Sequence, residues 1–304
     1  MERILRFTAE ARQKGRTLQQ IMEKEYGMSV SLIRRMKRRE GAVLVDGVPQ
    51  FLSFKLSEGE KITLIIDDGS SFSETIVPKS HPLSIVFEDE DILLVNKPAH
   101  LPCHPVKSNR EDSLSNYLAA LFASRGENFT ARIINRLDSN TSGLVLFAKN
   151  ALAASILNER SDPPRVIKEY TAITAGIPPQ KSGEITANIR RRAGSALLRE
   201  TCESGEGQTA VTLFQVLETD PARNFALLRL RTLTGRTHQI RVHLSQLACP
   251  LVGDFLYGEE NRELITRHAL HLGELQIIHP LTKAKLHFSA PLAEDMQSLW
   301  KAEQ

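Results

Sequence analysis

A single carboxylate, Asp138, lies in the segment whose residue types are best suited to chemistry. It follows Arg136 and precedes Thr141-Ser-Gly143, and an apolar run begins directly after that glycine. An acid at the mouth of a strand, with a cation nearby, is a candidate catalytic group. The alternative is that Asp138 caps a turn through its side chain, as aspartates often do. A second polar segment, from Thr234 to His243, favours the catalytic interpretation.

Several short motifs follow one another along the chain in a recognisable order. Arg136-Leu-Asp138 with Thr141-Ser-Gly143 resembles the Arg-Leu-Asp-x-x-Thr-Ser-Gly signature of the RluA-type pseudouridine synthases, which isomerise uridine in structured RNA. The resemblance extends to five further segments, which are Gly235-Arg-Thr-His-Gln-Ile-Arg241, Lys168-Glu-Tyr170, residues 91–98, residues 250–258 and His279-Pro280. Together they extend from about residue 85 to about residue 291 and imply membership of that family.

The resemblance implies a reaction in which uracil leaves its ribose, rotates, and is rejoined through carbon 5 without metal, nucleotide or flavin. Asp138 is then the reacting carboxylate, and Arg241 is the cation that keeps it ionised against the cost of burial. Whether Asp138 attacks the sugar, attacks the base or removes a sugar proton stays open. Tyr170 is expected to stack on uracil and to assist proton transfer, although a core tyrosine at a strand start is the alternative.

The RNA-facing residues follow from the same resemblance. Arg136 is expected to fill the space that a flipped-out uridine leaves, or else to form a structural salt bridge. Three further residues are expected to shape the cleft or contact the RNA backbone, namely Arg236, His238 and Gln239. Asn135 departs from the family, which usually has histidine there, and asparagine does not titrate near neutral pH.

Composition is compatible with this interpretation without demanding it. The chain has 304 residues, enough for two domains, with 41% hydrophobic residues and a net charge of +3. A mildly basic balance permits a nucleic-acid partner. The three cysteines, Cys103, Cys202 and Cys249, form no disulfide framework. With no apolar signal-peptide core and no apolar run of membrane-spanning length, the sequence predicts a cytoplasmic protein that does not bind membranes.

Residues 1–75 are predicted to form a small separate domain with a linker. Leu18–Glu25 and Ser29–Arg39 have helical spacing, and Ala42–Val48 contains an Asp-Gly turn between two short strands. Two helices followed by a hairpin resemble the S4 RNA-binding module. Its second helix is rich in basic residues, namely Arg34, Arg35, Lys37, Arg38 and Arg39. That run is either a phosphate-binding surface or a solvated helix face.

Residues 76–304 are predicted to be the catalytic domain, of the α+β class. Strands and helices are mixed without a regular βαβ rhythm. The resemblance implies the pseudouridine synthase fold, in which a large mixed, mostly antiparallel sheet carries flanking helices and an active-site cleft. The polar segment Asp67–Glu74 is the expected linker.

Other functions compete with an RNA isomerase. A non-catalytic RNA-binding or ribosome-assembly factor is one, and a glycosidase-like hydrolase is another, although no second carboxylate is paired with Asp138 as that chemistry requires. The histidines 238, 243, 268, 271, 279 and 287 lack zinc-ligand spacing. Large-subunit ribosomal RNA is the expected substrate, with transfer RNA as the alternative. The oligomeric state is open, and a monomer is the working expectation.

Overall fold

The computed structural model describes residues 3–67, 76–106, 110–127, 130, 132–159, 161–203 and 205–301. The strands are β1 (Arg3–Thr8), β2 (Val43–Val45), β3 (Val48–Pro49), β4 (Lys61–Ile66), β5 (Ser84–Glu88), β6 (Ile92–Lys97), β7 (Arg132–Ile133), β8 (Ser142–Ala148), β9 (Val166–Ala175), β10 (Ser182–Arg191), β11 (Arg199–Cys202), β12 (Gln208–Asp220), β13 (Phe225–Thr232), β14 (Leu270–Ile278) and β15 (Lys285–Ser289). The helices are a short 3₁₀ helix (Ala11–Gln13), α1 (Leu18–Lys24), α2 (Val30–Lys37), α3 (Leu114–Ser124), α4 (Ala151–Asn158), α5 (Gln239–Gln246) and α6 (Glu294–Lys301).

The amino-terminal part of the chain forms a four-stranded sheet in the order β1-β4-β2-β3. Helices α1 and α2 begin after Thr17 and Ser29, whose hydroxyls accept hydrogen bonds from backbone amides of the first turn. The β2–β3 turn places Asp46 and Gly47 at φ +48° and +81°, as a tight hairpin of this handedness requires. The two helices and the hairpin that the sequence predicts are therefore present.

This amino-terminal unit packs against helix α4 of the following part of the chain. Its apolar cluster includes Leu18, Ile21 and Leu64, and it extends onto Leu152 and Ile156 of α4. The backbone amide of Ser29 also donates a hydrogen bond to the Ser155 hydroxyl at 2.6 Å. The two parts are thus joined through a packed surface as well as through the chain.

In the described part of the chain, an eleven-stranded sheet carries the remaining strands, in the order β11-β10-β12-β13-β9-β14-β8-β6-β5, with β15 paired to β14 and β7 to β8. Strand pairs are antiparallel except for β14 and β8, which run parallel. The predicted α+β class with a large, mostly antiparallel sheet is confirmed. The apolar core lies on β6, β8, β9, β13 and β14, with α3 and α5 packed on it.

Several elements were not predicted from the sequence. These are β1, β7, β10, β11, β14 and α6. The expected linker, Asp67–Glu74, lies outside the described residues apart from Asp67. No helix in the described part of the chain has both the length and the apolar character needed to cross a membrane.

The parallel contact between β8 and β14 depends on Gly143. Its φ is +113°, and a Cβ atom there would lie 2.2 Å from the carbonyl oxygen of Leu272. No side chain fits at that distance, so β14 approaches β8 this closely only because residue 143 is glycine. This glycine ends the Thr-Ser-Gly segment that follows Asp138.

We expect Gly143→Ala to lower the free energy of unfolding by about 3 kcal/mol or more, because strain at positive φ and a backbone clash add together. Gly194 is the matched control, since its φ is +76° and a Cβ atom there meets nothing within 4 Å. Gly194→Ala should cost only the strain, roughly 1 kcal/mol. Urea unfolding of both variants measures the difference, and equal losses would contradict the close approach.

Candidate active site

A cleft of about 630 Å³ brings the separated sequence motifs together. It is lined by residues 133–139, by Lys168 and Tyr170 of β9, and by residues 234–241. The motifs that lie far apart in sequence therefore face one cavity.

The contact predicted between Asp138 and Arg241 is present in this cleft. Arg241 Nη1 donates to Asp138 Oδ2 at 3.2 Å. The Arg241 side chain is 4% exposed and that of Asp138 is 28% exposed. The guanidinium is thus buried in the wall, while the carboxylate remains accessible from the cleft.

Arg241 is held in place by a second carboxylate, Asp254. Its Nε and Nη2 atoms donate to the two Asp254 oxygens at 2.8 and 2.7 Å, and the Asp254 side chain is fully buried. Burial lowers the pKa of Arg241, but the hydrogen bonds and charge of Asp254, together with Asp138, more than offset this and raise it. Arg241 is therefore a fixed cation shared by two acids.

Two buried cations hold the turn that follows Asp138 by its carbonyl groups. Lys97 Nζ donates to the Ser139 carbonyl at 3.0 Å, and Arg267 Nη1 donates to that of Asn140 at 3.1 Å. Burial lowers the pKa of Lys97 to about 8. Arg267 also forms a two-point ion pair with Asp295, at the start of α6. The sequence motifs contain Lys97, but its role was not predicted.

The Thr-Ser pair of the signature is anchored by two buried histidines. Thr141 Oγ1 lies 2.7 Å from His268 Nε2, and Ser142 Oγ lies 2.9 Å from His271 Nδ1. Burial lowers the pKa of His268 to about 3 and that of His271 to about 4, so both rings are neutral at physiological pH. These histidines support the turn, which accounts for their i, i+3 spacing without a metal.

Asn135 occupies the position where the family usually has histidine. Its side-chain amide donates to the Leu144 carbonyl at 3.0 Å and accepts from the Leu146 amide at 2.8 Å. Asn135 is buried, and both halves of its amide bind the backbone of β8. Its role here is to attach the segment before Asp138 to the sheet.

Tyr170 lies both in the apolar core and in the lining of the cleft. Burial, followed by the negative charge of Asp138, raises the pKa of its phenol. The hydroxyl therefore stays protonated near neutral pH. Both interpretations of this tyrosine, as a core residue and as a platform facing the cleft, agree with its position.

The residues expected beside Arg241 occupy different environments. His238 has a φ of +57°, its Nε2 lies 3.7 Å from Asp138 Oδ2, and burial lowers its pKa. Arg236 donates through Nε to the Thr209 carbonyl. Gln239 is 4% exposed, and its amide makes four hydrogen bonds within the protein. Of the roles expected for Gln239, the structure favours shaping the cleft over contacting RNA.

The remaining arginines that the sequence assigns to RNA binding are exposed. Arg136 lines the rim of the cleft and forms no ion pair with any described residue, so the salt-bridge alternative finds no support. On the exposed face of α2 and just beyond it lie Arg34, Arg35, Arg38 and Arg39. Arg39 is 3.8 Å from Asp67.

A second cavity, of about 410 Å³, lies where the amino-terminal unit meets α4. Arg35 and Arg132 are among its lining residues. Asn158 lines both this cavity and the active-site cleft. The two cavities are therefore neighbours on one surface.

Among the described residues, one group of side chains brings potential metal-binding atoms within 4.8 Å of one another: Asp89, Asp91 and His279. His279 Nε2 lies 3.0 Å from Asp89. Asp91 accepts from Arg3 and Asn150 at 3.0 and 2.8 Å. These carboxylates are engaged within the protein, away from the cleft.

Comparison with known proteins agrees with this geometry. Residues 91–246 match the RNA pseudouridylate synthase family. The chain is 37% identical to the RNA pseudouridine synthase YhcT of Bacillus subtilis, over 80% of this chain and 79% of that one. It is 34% identical to the ribosomal large subunit pseudouridine synthase D of Haemophilus influenzae, over 85% and 82%.

A solved structure also resembles the fold. The human RNA pseudouridylate synthase domain containing 1 protein matches with a TM-score of 0.57 at 29% identity, over 73% of this chain and 89% of that one. The motifs, the shared cleft and these matches agree, and the chain belongs to the RNA pseudouridylate synthase family, as an enzyme that isomerises uridine in RNA.

Proposed function

We propose that this protein converts one or more uridines of large-subunit ribosomal RNA to pseudouridine, in a reducing cytoplasm. The observation that carries the proposal is the accessible Asp138 carboxylate, paired with the buried Arg241 at 3.2 Å inside the cleft. Relatives named as ribosomal large subunit pseudouridine synthases support the choice of RNA. The intact ion pair gives no support to a non-catalytic factor.

Asp138 acts on the ribose or the base of a uridine turned out of the RNA. Three features support this role: Asp138 lines the cleft, its turn is fixed by buried cations, and Arg241 donates a hydrogen bond to its carboxylate. A uridine stacked inside folded RNA has to leave the stack before it reaches such a group. Arg136, exposed at the rim, is placed to occupy the vacated space.

Tyr170 is the platform on which the detached uracil stays. Its ring lines the cleft together with Asp138, and stacking on an aromatic ring tolerates rotation of the base. With its pKa raised by burial, the phenol acts as a proton donor or relay. His238 and Arg236 complete the wall next to Arg241.

Residues 1–75 form an S4-like RNA-binding domain, and residues 76–304 form the catalytic domain. The helix pair, the hairpin and the four-stranded sheet of the amino-terminal unit support this division. The basic residues of α2 face solvent, and the cavity beside Arg35 shares Asn158 with the cleft. An RNA backbone that follows this surface reaches both domains.

Replacing Asp138 tests the proposed chemistry. Asp138→Asn keeps the shape of the side chain but removes its charge, and we expect pseudouridine formation to fall on the order of 1000-fold or more. Nucleotide-resolution mapping of pseudouridine in ribosomal RNA from cells carrying each variant measures this. Glu263→Gln, which changes an exposed carboxylate, should behave as wild type. Undiminished modification by Asp138→Asn would refute the role.

Asp254 should matter because it fixes Arg241. Asp254→Ala leaves a buried guanidinium with one accessible partner, and we expect a loss of about 3–5 kcal/mol in the free energy of unfolding. Asp254→Asn keeps part of the hydrogen bonding and should fold, with a reduced turnover number. Chemical denaturation and single-turnover kinetics measure the two effects. Wild-type stability in Asp254→Ala would show that Arg241 does not depend on this anchor.

The basic face of α2 makes a third prediction. Replacing Arg34, Arg35, Arg38 and Arg39 with Gln should weaken RNA binding and lower the slope of log affinity against log salt by up to about 0.9 per lost phosphate contact. Binding titrations at several salt concentrations measure the slope. Arg192 and Arg262 are exposed arginines for a matched control. An unchanged slope in the four-residue variant would indicate that these arginines form a solvated helix face and do not bind phosphates.

A further inference from the structure

Lys168 is a cation in the cleft that has no partner among the described residues. It lines the cleft together with Asp138 and Tyr170. Its ammonium makes no ion pair or hydrogen bond with the described residues. The other lining cations differ, because Arg241 binds two carboxylates, Arg236 binds a carbonyl, and Arg136 is exposed at the rim. Lys168 is half-buried, and a half-buried charge without a partner is costly unless a ligand supplies one.

The Lys168 ammonium lies beside Gly235, another residue that lines the cleft. A Cβ atom on Gly235, which also lines the cleft, would lie 3.8 Å from Lys168 Nζ. The ammonium therefore lies against a residue without a side chain, which leaves room beside it. Burial lowers the pKa of Lys168 with no compensating influence from a carboxylate. This combination is typical of a cation that awaits an anionic or carbonyl oxygen.

Lys168 and Tyr170 are two residues apart on strand β9, so their side chains leave the same face of the sheet. Two residues of a strand span about 7 Å, which is comparable with the width of a uracil ring and its carbonyl oxygens. A base that rests on the Tyr170 ring therefore brings one of those oxygens within reach of the ammonium.

We propose that the Lys168 ammonium donates a hydrogen bond to a carbonyl oxygen of uracil and stabilises the negative charge that the ring carries after it leaves the sugar. This inference rests on the proposed function. It assigns to the cleft an oxyanion-binding group in addition to Asp138, Tyr170 and Arg241. The ligand is the detached base, and the group acts mainly in the transition state.

The chemistry of detachment explains why such a group is needed. When the bond between C1′ and N1 breaks, its electron pair stays on N1 and spreads onto the two carbonyl oxygens. C1′ is left short of electrons, and Asp138 meanwhile stabilises it, either by bonding to C1′ or by removing a proton from the neighbouring sugar carbon. Carbon 5 then bonds to C1′ as the bond between Asp138 and C1′ breaks, or as the proton that Asp138 removed returns to the sugar. Carbon 5 loses its own proton and N1 gains one, so the product is an isomer. Lys168 keeps its proton throughout.

Lys168→Met keeps the length of the side chain and removes its charge. We expect the single-turnover rate of pseudouridine formation to fall about 100-fold, while the dissociation constant for the RNA stays within about threefold of wild type. Lys168→Arg keeps a cation and should recover much of the rate, and Lys285→Met, at an exposed lysine, should have none of these effects. An unchanged rate, or a loss of rate matched by an equal loss of affinity as for a phosphate contact, would overturn the inference.

A second measurement separates this role from a structural one. Fluorine at carbon 5 withdraws electrons and stabilises the uracil anion. The defect of Lys168→Met in glycosidic-bond cleavage should therefore be smaller on RNA with 5-fluorouridine at the target position. An equal defect on both RNAs would overturn the proposal even if the variant were partly misfolded. Wild-type protein that forms no pseudouridine on the RNA with uridine at the target position would instead count against the proposed function.

Discussion

The active site depends on one buried guanidinium that is divided between two carboxylates. Asp254 takes two of the donors of Arg241 at 2.7 and 2.8 Å, and Asp138 takes a third at 3.2 Å. A guanidinium buried alone would cost several kcal/mol, so the fully buried Asp254 is what allows Arg241 to sit in the wall. One positive charge thus serves two negative ones, and Arg241 orients Asp138 by a hydrogen bond while the buried Asp254 holds Arg241 in place.

Buried cations also hold the backbone of the turn that carries Asp138. Lys97 and Arg267 donate to the carbonyls of Ser139 and Asn140, and bonds from charged donors are worth about 1.5–3 kcal/mol each. Both cations are fully buried, and burial lowers the pKa of Lys97 to about 8 although the charge of Asp138 opposes this effect. The cations therefore fix the geometry of the turn and also favour a negative charge next to it.

Local signals allowed much of this to be predicted from the sequence, and their absence explains the rest. Helical spacing and an Asp-Gly turn identified the first helices and the hairpin, and the RluA-type motifs identified Asp138 and Arg241. Strand β14 alternates apolar and polar residues over Leu270–Leu272 and again over Glu274–Ile277, but Gly273 and the register shift at that point divide the pattern into two pieces too short to mark a strand. Asp254 lies within a matched segment, but an acid that pairs with an arginine across a loop leaves no local pattern. Lys97 and Arg267 bind backbone carbonyls, which every residue has, so no residue type in the sequence marks their partners.

Asn135 shows how the sheet delivers Asp138 to the cleft. Strand β7 pairs with β8, and the Ile134 amide continues this pairing by donating to the Leu146 carbonyl at 2.8 Å. At the next residue a side chain replaces the main chain as the partner of β8. The Asn135 side chain accepts a hydrogen bond from the Leu146 amide and donates one to the Leu144 carbonyl. The main chain is then free to leave the ladder without stranding buried polar groups on β8. Three residues later the chain presents Asp138. Position 135 therefore requires a neutral side chain that both donates and accepts hydrogen bonds, and asparagine meets that requirement without titrating.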